Sequence, residues 1–142
     1  MLFRSITNNA LFDIATDGTF GVLNQNLTAG SATLRLVNSA TGTLQKSGGT
    51  TTTLLGTNGA FQGGVSVKGV QLENAGTVDV QVGTLQLNTS GIGVSGGTAI
   101  STGKFKIGSG ATLNFAGGSQ TMGAGSSIDA AKIGRASCRE RV

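Results

Sequence analysis

Residues Asn74–Gly91 read NAGTVDVQVGTLQLNTSG. Two apolar pairs stand out, Val78 with Val80 and Leu85 with Leu87, each spanning one polar residue and each led by a Gly-Thr step. Alternation at period two sends successive side chains to opposite faces of a strand. Each pair therefore marks a short strand with one apolar face, and the glycines between them mark turns. The same pattern recurs in GKFKIGSGATLNFAGGSQTMGAGSSI, Gly103–Ile128, with Phe105 and Ile107, Leu113 and Phe115, then Met122 and Ile128. Upstream it is carried by Phe12 and Ile14, Phe20 and Val22, Leu34 and Leu36, Leu44, Leu54, Val65 and Val67, and Val70 and Leu72. No stretch shows the i, i+3, i+4, i+7 stripe of an amphipathic helix. The chain reads as all-β.

Two architectures use such strands. A sandwich or barrel favours strands of about five or six residues. A solenoid needs only two inward side chains per strand, because stacked coils build one continuous core. Strand starts seven or eight residues apart, as from Val78 to Leu85 and Phe105 to Leu113, suit a three-sided coil. The strand candidates then make a β-solenoid of about five coils, roughly 25 Å long at about 4.8 Å per stacked strand. Val78, Val80, Leu85, Leu87, Phe105, Ile107, Leu113 and Phe115 are expected to point inward. Asp79, Gln86, Lys106 and Asn114 are expected to point outward. Glycine suits the sharp corners, and threonine or asparagine beside them is placed to form polar ladders up the stack.

The ends have a different composition. Ile133–Val142, IGRASCRERV, is one reading of ATC GGA AGA GCG TCG TGT AGG GAA AGA GTG, which resembles a short-read sequencing adapter. Met1–Ser5, MLFRS, reads as GTG CTC TTC CGA TCT, which resembles the partner adapter. The expectation is therefore that 1–5 and 133–142 are adapter-derived and that 6–132 is the repeat segment of a translated, metagenomic-type fragment. Inside 6–132 the bases are Arg35, Lys46, Lys68, Lys104, Lys106 and Lys132, against Asp13, Asp17, Glu73, Asp79 and Asp129. That leaves a net charge of about +1, so the chain's pI of 9.9 comes mainly from its ends. No clustered basic face remains for nucleic acid. No apolar run approaches the roughly 18 to 20 residues of a membrane span. The single cysteine, Cys138, has no histidine anywhere in the chain to serve as its base.

GTLQKSGGTTTTLLGTNGAFQGGVSVKGVQL, Gly42–Leu72, resembles the β-strand repeat of bacterial autotransporter passengers. The matching positions are Gly42, Thr43, Leu44, Lys46, Gly48, Leu54, Gly56, Asn58, Phe61, Gly63, Gly64 and Val67. Thr50 replaces the repeat's second glycine, Thr52 replaces a leucine, and one residue is extra near Phe61, so the copy is divergent. Leu72–Ile128 is similar in a general way to strand-repeat regions of large bacterial surface proteins. The resemblance implies a right-handed parallel β-helix, secreted and displayed on the outer surface, whose repeats act as stalk or scaffold in an adhesin-like protein. The implied partners are neighbouring coils of a longer chain and host or matrix surfaces or glycans.

Several motifs have a plainer reading than their letters imply. GIGVSG, Gly91–Gly96, matches a dinucleotide fingerprint, but turn and strand follow it instead of the required helix. Asn26-Leu27-Thr28 and Asn88-Thr89-Ser90 are sequons, read here as turn asparagines. Glycoside hydrolysis needs two carboxylates on one groove; Glu73 and Asp79 are the pair that neighbouring strands could offer, with Lys104 and Lys106 on one outward face. Their scatter reads as solvated charge. No catalytic residue, cofactor or metal site is expected, and the chain is not expected to be an enzyme. The alternative reading is the non-catalytic coils of a carbohydrate-active β-helix enzyme.

Overall fold

In a computed structural model the described residues are 5–20, 34–56, 70–88, 99–117 and 120–131. They contain fourteen strands and no helix. One sheet runs β1 (Ser5–Asn8), β4 (Leu34–Asn38) and β7 (Val70–Asn74). A second holds five strands in the order β14 (Ser127–Ala130), β11 (Lys104–Ile107), β8 (Thr77–Val80), β5 (Thr43–Lys46) and β2 (Leu11–Ile14). A third runs β12 (Thr112–Gly117), β9 (Thr84–Asn88), β6 (Thr52–Gly56) and β3 (Gly18–Phe20). The remaining pair is β10 (Ala99–Ser101) with β13 (Gln120–Met122). Thr102 N, just past β10, donates to Asn74 O at the end of β7 (2.8 Å), so this pair continues the first sheet's corner.

Every strand pair is parallel. Consecutive strands enter the sheets in rotation, and, β7 and β10 apart, strands pair with the one three positions on in the chain. That rules out a sandwich of antiparallel hairpins for the described residues and fits a β-solenoid. The reason lies in the strands themselves. Each offers one or two apolar side chains, too few to close a core alone, so burial comes only when like strands stack in register.

The register makes continuous inward columns. Phe12, Leu44, Val78, Phe105 and Ile128 lie in line across the second sheet. Phe20, Leu55, Leu87 and Phe115 do so across the third, and Ile6, Leu36 and Leu72 across the first. Leu36, Leu44, Leu55, Leu72, Val78, Val80, Leu85, Leu87 and Phe105 are buried in one cluster. Each such side chain contributes roughly 1.5–3 kcal/mol on leaving water. Ile107 and Leu113 pack against the cluster in part. Lys106 and Asn114 are exposed, and Asp79 and Gln86 half-buried, as their outward phase requires.

Three expectations change. Phe115 is 42% exposed, although its ring meets Phe105 edge-on at 5.8 Å. It faces the core, but β12 is the last strand of its sheet and nothing described stacks above it. Leu55, and not Leu54, holds the inward column of β6. Leu54 falls in register with Gln86 and Asn114 on the opposite face, and is nevertheless only 4% exposed. Lastly, Ser5, assigned above to the leading adapter-like stretch, opens β1 opposite Arg35. The rest of that stretch, and 133–142 with Cys138, lie outside the described residues, as do Val22, Val65 and Val67.

Candidate functional site

The corner between the first and second sheets is built on asparagine. Asn8, Asn38 and Asn74 end β1, β4 and β7 in register, and all three are buried. Asn8 Nδ2 donates to Asn38 Oδ1 (2.9 Å) and Asn38 Nδ2 to Asn74 Oδ1 (2.8 Å). Each of the three Nδ2 groups donates to a backbone carbonyl one layer on: Thr43 O (3.0 Å), Thr77 O (3.0 Å) and Lys104 O (3.2 Å). Primary amides suit this place because each carries donors and an acceptor together, so one residue type can repeat without a mismatch. The backbone pattern puts Ser101 next in line, where Gln120 Nε2 donates to its hydroxyl (2.8 Å). Beside the ladder the layers approach closely. A Cβ on Gly76 would strike the carbonyl oxygens of Gly42 and Ser39, so this corner admits glycine alone.

A second polar cluster lies at the corner after β5. Lys46 shares the inward column of Ile14, Val80, Ile107 and Ala130, and its side chain is fully buried. A buried ammonium is costly unless paired and hydrogen-bonded. Its three donors find Gly48 O (2.7 Å), Asp17 Oδ1 (3.1 Å) and Gly49 O (3.4 Å). Asp17 Oδ2 accepts from Thr51 N (3.1 Å), tying the carboxylate to the same loop. Gly49 passes through this turn at φ +71°, where a Cβ would also run into Asp17. Partial burial pushes the Asp17 carboxyl up, but the hydrogen bonds from Lys46 and Thr51 and the lysine charge outweigh it. The group is held below the ordinary carboxylate value of 3.8.

The remaining charges lie on outer faces. Glu73 and Asp79 do not converge: β7 and β8 belong to different sheets. Glu73 instead forms a bidentate ion pair with Arg35 across the outer face of the first sheet. Asp79 stands in register with Lys106, which in turn neighbours Asp129. Asp13 accepts from Ser47 Oγ (2.8 Å) and Gln45 Nε2 (3.3 Å). Lys104 shares the exposed face of Lys106. Among the described residues no three His, Cys, Asp or Glu side chains gather as a metal-holding group, and no helix is long and apolar enough to cross a membrane.

Gly91–Gly96, Asn26–Thr28, Thr89 and Ser90 lie outside the described residues; Asn88 ends β9, half-buried. Sequence reading missed the Lys46–Asp17 pair. The signal was present, since Lys46 is two residues from Leu44 and therefore shares its inward phase.

Comparison with known proteins finds no family model, no curated protein and no solved structure that matches this chain.

Proposed function

We propose that the chain is a structural repeat segment of an exported bacterial surface protein. It acts as stalk or scaffold in an autotransporter or adhesin-like passenger, outside the cell. In this reading the strands wind as a right-handed parallel β-helix of about five coils, and neighbouring coils of the same longer chain are its first partners. One observation carries the proposal. The polar groups that enter the interior serve stacking: the asparagine amides bond up the corner and to adjacent layers, and Lys46 ties its own turn to Asp17 below. The outward charges are spread over separate faces, with acid and base as neighbours at Arg35–Glu73 and in register at Asp79–Lys106. Such a surface is solvated and extensible, and it repeats.

The test is display. The chain is placed between an export signal and an outer-membrane translocating barrel, and intact cells are probed with protease. The expected result is a surface-exposed, β-rich segment that resists digestion until it is unfolded. Retention in the periplasm, or display as a rapidly degraded chain, would refute the scaffold reading.

A further inference from the structure

The inward columns do not close at the ends of the described stack. Ile128 is 57% exposed and Met122 38%, and Phe115 is likewise open. One layer below in the same columns, Phe105, Ser101 and Leu87 are buried. At the opposite end Ile6, Phe12, Ile14 and Phe20 pack on the core but are only partly covered. Among the described residues no strand pairs with the outer edges of β14 and β12, or of β2 and β3. Each edge presents a row of backbone donors and acceptors beside apolar side chains, which is a template for another strand.

From this we infer that the end carrying Ile128 and Ala130 docks a second copy of this chain, head to tail, through the copy's Phe12 and Ile14. The argument is continuity. All sheets are parallel, and each column keeps one register from first strand to last. A copy's β2 therefore meets β14 with the direction and side-chain phase with which β14 meets β11. Phe12 then follows Ile128 in one column and Ile14 follows Ala130 in the next, while the third sheet, one strand shorter, is left one layer open above Phe115. The two surfaces differ, so the contact is heterologous and leaves a free end of each kind, the geometry of an open filament. The inference rests on the stacked-scaffold reading and adds a partner to it.

The same register exposes a weakness in the junction. The outer column of the second sheet runs Asp13, Gln45, Asp79, Lys106, Asp129. Docking a copy sets its Asp13 beside Asp129, and like charges directly opposite are unfavourable. Lys106 flanks Asp129 on one side; Gln45 and Ser47 donate to Asp13 on the other. The junction is therefore apolar inside and self-repelling at one outer position.

The experiment is sedimentation velocity on the full chain across a concentration series. It is run in reducing buffer so that Cys138 forms no disulfide, with circular dichroism on each sample. The wild type is expected to form concentration-dependent oligomers that grow in steps of one chain. Asp129→Asn should tighten association by up to about fivefold, the upper end of the scale of cross-strand pairs. Ile128→Asp should weaken it by about tenfold or more, with an unchanged spectrum because Ile128 is largely exposed. A wild type that stays monomeric throughout overturns the inference, as does association that ignores both substitutions. Either result leaves the scaffold reading to its own display test.

Discussion

Replacing Asn38 with alanine should cost more than any other single step of the corner ladder, because Asn38 is bonded on both sides. It accepts from Asn8 (2.9 Å) and donates to Asn74 (2.8 Å) and to Thr77 O (3.0 Å). Three hydrogen bonds at a net of about 1 kcal/mol each amount to about 3 kcal/mol. Stranding the buried Asn74 Oδ1 and Thr77 O adds to this. Asn74→Ala breaks two side-chain bonds, one from Asn38 and one to Lys104 O, so about 2 kcal/mol is expected. Asn38→Asp separates shape from hydrogen-bond chemistry. It keeps the size and the acceptor for Asn8 but replaces the donor with an oxygen facing two other oxygens. Protonation relieves one of those clashes, so the folded-state pKa of the new carboxyl lies above the unfolded value of about 3.9. A raised folded pKa means stability that is full below the unfolded pKa and lost as pH rises. Asn38→Asp should therefore be closest to wild type near pH 3 and most destabilised at pH 7. Urea unfolding followed by circular dichroism, at concentrations below association, measures both effects. An Asn38→Ala loss under about 1 kcal/mol would refute the reasoning, and so would an Asn38→Asp deficit independent of pH.

Asp17 predicts the opposite limb. Its folded pKa is depressed below 3.8, so its contribution is present above that value and is lost as pH falls through the folded pKa. Lys46→Met, which keeps the buried volume and removes the charge, should flatten the wild type's acid loss of thermal midpoint; an unchanged acid limb would show that the pair does not couple to folding. Two glycine substitutions separate strain from collision. Gly110 has φ +79° with open space around it, so Gly110→Ala should cost only the left-handed backbone term of about 1–2 kcal/mol. Gly76→Ala must instead push two layers apart, and its thermal midpoint should fall well below that of Gly110→Ala; equal midpoints would mean that the corner relaxes freely.

The all-β class, the inward phase of Val78, Val80, Leu85, Leu87 and Phe105, and the cyclic use of three short strands were legible in the chain itself, because period-two alternation and glycine spacing are local properties. The positions of Leu54 and Leu55 were not. Two adjacent leucines fit either phase of a strand, and only pairing with Gln86 and Leu87 selects one. The partners of the charges were equally hidden. Asp17 and Lys46 are 29 residues apart, and Arg35 and Glu73 are 38 apart. Each pair meets only because the chain between them returns to the same corner or face, and nothing local records the length of that return. The asparagine ladder lies between these cases. Residue type and turn position suggested a polar stack, but which amides join depends on separations of 30 and 36 residues, and these are set by how the layers stack.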